Sequence, residues 1–530
     1  MTVIVQPGTD SNGNPQPMVY DSDTNKVIVD SNGFIVSGGQ RLVNTPSKAD
    51  YVSTPKTQTA GIQEACTYLE PTGGEIRLSN GIFYLNTGVV YSSEAPLRIS
   101  GVRANAARST ASTPAPFDSQ VAGGTWIIPS SSYPTNNMPL FTFLNVSELN
   151  NDGFIDIGNM SISGTYVEVG SGFPNGPTSS SAVGLQFGNT TAGEGDGPVA
   201  KYVHDMKIDN CITAIVGFSG GGPNWYDNLH VDGCGFSGTA TINGSAYANP
   251  PSFIFYENSQ HWGKLEMFNP EGLNLFDIYN SAGDFPPSIL IDNMFTNMGT
   301  NGGFNFKTTI AGTALEIGEI NVLSSANNGA SLIEPPPSGS LVAYIANMRQ
   351  YGGGLVQVFN SSSTAILDIA IGNYHATNSA YVVVTGSGYA VGSGSRLAIS
   401  NAFLESLASS ALTESIPGLT WTMAHVFPVQ TPTLSANPPL PATVYQNKNP
   451  YKIRLKIPVT YNPTSTEAAT LATAISPTSS LTTSTKVSIP AGLTSADGQI
   501  LTYDMVIPAY WYYGINVTNA TLGTAEVEVA

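Results

Sequence analysis

The chain alternates apolar and polar residues in short runs, and the runs themselves repeat. "VHDMKIDNC" from Val203 to Cys211 and "YDNLHVDGC" from Tyr226 to Cys234 share one frame: apolar, any, polar, apolar. The frame begins at Ile99, Ile157, Val203, Tyr226, Trp262, Ile291, Ile317, Ile345, Ile371 and Ile399. From Val203 onward the steps are 23, 36, 29, 26, 28, 26 and 28 residues. Such a period belongs to a solenoid, a propeller or an array. Each unit carries period-two runs rich in Ile, Val, Phe and Tyr, bounded by Gly and Asn, which predicts strands. A four-stranded blade needs about 40 residues. Units of 23 to 29 residues fit three short strands and three bends, one coil of a right-handed parallel β-helix. The 46-residue step from Ile157 to Val203 leaves room for two coils.

The frame also predicts facing. Its first and last letters are apolar and point inward, so the polar pair between them makes a corner. Asn stands at the second corner position at Asn159, Asn228, Asn293, Asn347, Asn373 and Asn401. Asn tolerates left-handed backbone and bonds its own backbone, and its amides can stack into a ladder on successive coils. Coils lie about 4.8 Å apart, so matching letters stack. Cys211 then lies beside Cys234 as a pair of core thiols; side chains aimed the same way are poorly placed for a disulfide.

The ends break the repeat. Residues 1–45 predict a small β region, with "KVIVDSNGFIVSGG" as a hairpin around Ser31-Asn32-Gly33. Ile62, Ala65, Cys66 and Leu69 in "TAGIQEACTYLE" have helical spacing, predicting one helix that caps the open first coil. The β-helix is assigned residues 46–427, and the Pro-rich stretch 428–440 is a linker. Strict alternation returns in "YKIRLKIPV", so residues 441–530 predict a C-terminal β-sandwich. The class is all-β.

A short helix ahead of "GGEIRLSNGIFYL", then coils with Asn corners, resembles the pectate-lyase-like β-helices of viral tailspikes and tail fibres. The resemblance covers residues 55–425. The sparse charge and Thr/Asn/Tyr-rich style are also similar to virion proteins of hyperthermophilic archaeal viruses. The resemblance implies a virion protein that recognises host surface glycan, with hydrolysis of that glycan left open. It also implies a homotrimer attached to other virion proteins through the N-terminal region. The Ca²⁺-binding acids and Arg or Lys base of the pectate lyases find no match here, so lyase chemistry is not carried over. A secreted polysaccharide-degrading enzyme and a purely structural virion or surface-layer component remain alternatives.

Composition narrows the partner. With 37 acids against 19 bases the net charge is −18, which disfavours nucleic acid and suits an uncharged sugar. An acidic surface also serves solubility alone. No apolar run is long enough to span a membrane. The start, "MTVIVQPGTD", has no basic stretch before an apolar one, so no export signal is expected there. Asn-x-Ser/Thr sequons, among them those at Asn145, Asn189, Asn243, Asn360, Asn516 and Asn519, nonetheless suit an extracellular chain, and release with a virion reconciles the two. Three cysteines give neither a disulfide framework nor a zinc pattern, and no metal or cofactor is expected.

Chemistry must sit on outward positions. One column after the corner runs Lys207, His230, Glu266, Phe295, Asn321, Arg349, His375, Phe403; the next begins Asp209, Asp232, Phe268, Asn297. Glycoside hydrolysis needs two carboxyl groups roughly 5–10 Å apart. Asp209, Asp232 and Glu266 are the catalytic candidates, in unassigned order. The alternative is a solvated polar face, its acids paired with Lys207 and Lys264. Lys207 and His230 join as substrate-binding candidates. The long step from Tyr226 to Trp262 predicts a loop near residues 236–258 walling a groove. That adds Trp225 and Tyr247 as rings for a sugar. Trp262 occupies an inward letter and is assigned to the core. In "PAYWYYGI" alternation buries half the rings and exposes the rest, for sugar binding or a subunit contact.

Overall fold

The computed structural model describes residues 2–9, 15–21, 26–29, 35–39, 58–78, 80–103, 124–145, 153–168, 176–189, 200–218, 224–256, 259–268, 274–279, 287–297, 304–308, 311–323, 330–351, 355–357, 363–376, 381–383, 390–404, 418–427, 443–447, 452–464, 466–493, 498–508 and 511–529, with positions 171, 174, 197, 198 and 439 besides. Its architecture is a parallel β-helix capped by one helix and followed by a β-sandwich. The solenoid is built on two sheets, one of 10 parallel strands and one of 21 among the described residues; the longer sheet is parallel along the coils and is extended by N-terminal strands that pair antiparallel with one another.

The frame letters stack as the repeat predicts. Ile99 pairs with Ile157, and the column continues through Val203, Tyr226, Trp262, Ile291, Ile317, Ile345, Ile371 and Ile399. Every member is buried. Each apolar side chain thus finds another directly above and below, and the solenoid closes on one continuous core. The 46-residue step holds one coil rather than two. Phe154–Gly158 pairs directly with Ala200–His204, and the extra length goes into stretches on either side of the strand Val183–Phe187.

The corner changes character along the axis. At Asn159, Asp205 and Asn228 the backbone is left-handed, with φ of 56°, 51° and 51°, and it breaks each coil into two strands. From Ser259–Phe268 onward the same letters lie within unbroken strands of 10 to 12 residues. Small residues permit this, because neighbouring backbones approach closely. A Cβ at Gly318 would come within 2.6 Å of the Asp292 carbonyl oxygen. The Asn ladder forms on these flatter coils. Asn401 Nδ2 donates to Asn373 Oδ1 at 3.0 Å, and Asn373 Nδ2 donates to Asn347 Oδ1 at 2.9 Å.

Helix α1, Ile62–Leu69, buries Ile62, Ala65, Cys66 and Leu69 over the first coil. Strand Thr2–Thr9 adds to the long sheet by parallel pairing with Gly74–Leu78. Lys26–Val29 and Ile35–Gly39 pair antiparallel; the turn Ser31-Asn32-Gly33 lies outside the described residues. So does most of the stretch 428–440. Cys211 and Cys234 are buried free thiols in contact, the Cys211 N–H lying 3.5 Å from Cys234 Sγ. In the sandwich, Ile453, Leu455, Ile457 and Val459 point inward while Arg454 is exposed; Tyr451 lies outside the described residues. Trp511 is exposed and Tyr513 buried, stacked on Tyr445.

Candidate functional site

Two outward-facing wings of the long sheet flank the corner. After it, the register brings Lys207, His230 and Glu266 onto successive coils, and beside them Asp209, Asp232 and Phe268. Lys207 Nζ lies 2.9 Å from Asp209 Oδ2 and stands over the Trp126 ring. His230 Nδ1 is 3.2 Å from Glu266 Oε2, and Lys264 Nζ is 2.6 Å from Oε1. Phe268 stacks on His230 and adjoins Phe295.

These acids have different surroundings. Asp209 is fully buried and Asp232 nearly so. The stretch after Ser163 lies against this point: Thr165 Oγ1 donates to the Asn210 carbonyl, and Asn210 Nδ2 donates to the Pro174 carbonyl. Burial pushes the Asp209 carboxyl up and the Asp232 charge adds to this, while Lys207 pulls it back. Glu266 is partly exposed. Burial would raise its carboxyl, but the bonds from Lys264 and His230 outweigh it and hold Glu266 below the usual range. Of the three acids, only Glu266 meets solvent appreciably.

Before the corner lies a second polar wing. Its outer column runs Arg98, Asp156, Tyr202, Trp225, His261. Trp225 is 39% exposed. Beside Tyr202, His204 is gripped from both sides: Nε2 lies 2.9 Å from Asp156 Oδ1, and Nδ1 lies 2.9 Å from Asp205 Oδ2. The Tyr202 ring stacks on it at 4.4 Å. Only glycine at 158 admits this ring, since a Cβ there would come within 2.7 Å of it. Arg103 and Asn228 both donate to Asp205 Oδ1, and His261 Nε2 lies 3.1 Å from Asp292 Oδ2. Asp227 Oδ1 accepts the Lys264 N–H.

The structure therefore places Lys207, Asp209, His230, Asp232 and Glu266 together after the corner and Trp225 on the wing before it. Tyr247 is elsewhere. Its hairpin, Thr239–Ile242 with Ser245–Ala248, folds onto the outer face of the second sheet, because Ala240 and Ile242 pack with Val183, Val216 and Ile254. Tyr247 donates its hydroxyl to Asp277 there at 2.6 Å. The expected groove wall is thus on a different face from the acids. Sequence reasoning passed over Asp156, Tyr202, His204, Asp205 and His261. For all but Asp205, which stands at the corner itself, the signal was available in the letters flanking each frame's first residue, which point outward as surely as those after the corner.

Among the described residues, no group of three or more His, Cys, Asp or Glu side chains is placed to hold a metal. No described helix is long and apolar enough to cross a membrane. The chain matches no known protein family and no curated protein sequence. Among solved structures it is similar to the enzymatically active domain of tailspike protein 4 of bacteriophage CBA120, at 11% identity and a TM-score of 0.21, over 98% of this chain and 73% of that one. It is also similar to the tailspike protein of Acinetobacter phage vB_ApiP_P1, at 11% identity and a TM-score of 0.22, over 98% of this chain and 96% of that one.

Proposed function

We propose that this chain is a tailspike-type virion protein that recognises host surface glycan on the outer face of its long sheet. The observation that carries the binding reading is Trp225, an exposed ring on the coil next to Tyr202 and bordered by Asp227. A ring covers the apolar face of a sugar while flanking carboxylates take its hydroxyl hydrogens, which fixes orientation. The parallel β-helix supplies a stiff support, since every coil is bonded to the next. The virion role and a homotrimer follow the resemblance of the helix, "GGEIRLSNGIFYL" and the coils with Asn corners over residues 55–425, and sedimentation of the purified protein tests the assembly.

Asp209, Asp232 and Glu266 are proposed as the groups for hydrolysis, should the glycan be cut. Hydrolysis would require Asp209 and Asp232 to become accessible, so binding is the better-supported activity. The test is purified protein with host-envelope polysaccharide, measuring both retention and product size. Trp225→Ala is expected to weaken retention about tenfold, the equivalent of one aromatic contact. Unchanged retention in that variant would remove the proposed site. Shortened products from the wild type, lost in Asp232→Asn, would add hydrolysis to binding.

A further inference from the structure

The pairing of the solenoid's cations says which sugars this face takes. Among the described residues, each outward Arg or Lys of the solenoid sits against a carboxylate. Arg77 is 3.0 Å from Glu75, and Arg98 lies between Glu75 and Asp156 at 3.8 and 3.5 Å. Arg103 is 3.0 Å from Asp205, Lys207 2.9 Å from Asp209, and Lys264 2.6 Å from Glu266. Lys307 faces Glu334, Arg349 faces Glu319, and Arg396 makes a two-pronged contact with Asp368. The remaining described lysine of the solenoid, Lys201, is fully buried over the Phe187 ring. The histidines of the wing before the corner, His204 and His261, also face carboxylates.

Recognition of a carboxylate, phosphate or sulfate on a sugar relies on a cation whose charge is free to be answered, best an Arg fork. On this face those charges are already answered, and Asp227 lies beside Trp225 with like charge toward any anion. Exclusion of the wrong ligand by like charge is a strong form of specificity. Resting on the glycan-binding reading above, we infer that the site takes an uncharged glycan and rejects uronic, sialic, phosphorylated and sulfated ones. Discrimination comes from the closed ion pairs rather than from the shape of the ring platform.

An oligosaccharide array carrying uncharged, uronate, sialate and sulfated chains tests this with the full-length protein at low and physiological salt. Binding confined to uncharged chains and nearly independent of salt is expected. Tighter binding of acidic chains overturns the inference and leaves glycan recognition standing. Binding of no chain in either class overturns both. Asp205→Asn supplies a gain-of-function arm, because Asn suits the left-handed backbone at 205 while releasing Arg103. The variant, shown folded by circular dichroism, is expected to acquire at least tenfold stronger retention of sulfated chains at low salt. No gain there overturns the assignment of discrimination to the closed ion pairs.

Discussion

His204 shows how much a single side chain on this surface is asked to do. A neutral imidazole donates through one nitrogen only, so two carboxylates at 2.9 Å suit the protonated ring. The Asp156 bond raises the His204 pKa above its ordinary 6.5, with burial opposing and Asp205 assisting. A raised folded pKa means stabilisation that is complete below the ordinary value and lost as pH rises through the raised one. The unfolding temperature is therefore expected to fall as pH rises from below 6.5 through the raised value, and to fall less in His204→Asn. Identical slopes in the two proteins would show that the ring carries no such linkage. Asp205 has the opposite sign. Burial would raise its carboxyl, but bonds from His204 and Asn228 lower it, so its contribution is lost only as pH falls through that lowered value.

At the scale of one coil, two devices set the bend and the spacing. The left-handed corner at Asn159 costs a side chain with a branched Cβ more than it costs Asn or Gly. Asn159→Gly is expected to be tolerated within about 1 kcal/mol, whereas Asn159→Val loses roughly 2 kcal/mol or more in a urea titration. Equal losses would mean the backbone there relaxes to an ordinary extended form. The ladder is the second device. Asn373 both donates to Asn347 and accepts from Asn401, so Asn373→Ala removes two hydrogen bonds at once. Exposure keeps each bond modest, and a loss of about 1–2 kcal/mol is expected. Because the three amides form one chain, the double variant with Asn401→Ala should lose less than the sum of the singles.

Across the whole molecule, stability resides in the stacking of coils. Trp262 is buried against Tyr226 at 4.2 Å and meets Phe253 and Phe276 edge-on. Phe276 in turn stacks on Phe253 and Phe306, so one aromatic column runs through the middle of the solenoid. Trp262→Ala is expected to cost about 3–5 kcal/mol by opening a cavity there. Since each coil is held mainly by its neighbours, the damage should be local, and limited proteolysis should cut first near that coil. Cleavage spread evenly over the chain would show that the solenoid melts as one unit instead.

The repeat determined the register of the coils it marked and which letters face out, though not the number of coils between Ile157 and Val203. Lys207 above His230, Asp209 above Asp232, and the Asn ladder all follow from a period that every coil shares, since stacked strands must align matching letters to bury their apolar ones. The same logic held for the capping helix, where four apolar residues at helical spacing needed a surface to cover. Tertiary structure alone decided what lies over each outward position. Asp209 is buried next to Asn210, which bonds to Thr165 and Pro174 of another coil, and Tyr247 left the acids because its hairpin's apolar side found the second sheet. A period fixes direction within a coil; it carries no information about where an insertion between coils will find its own apolar partner.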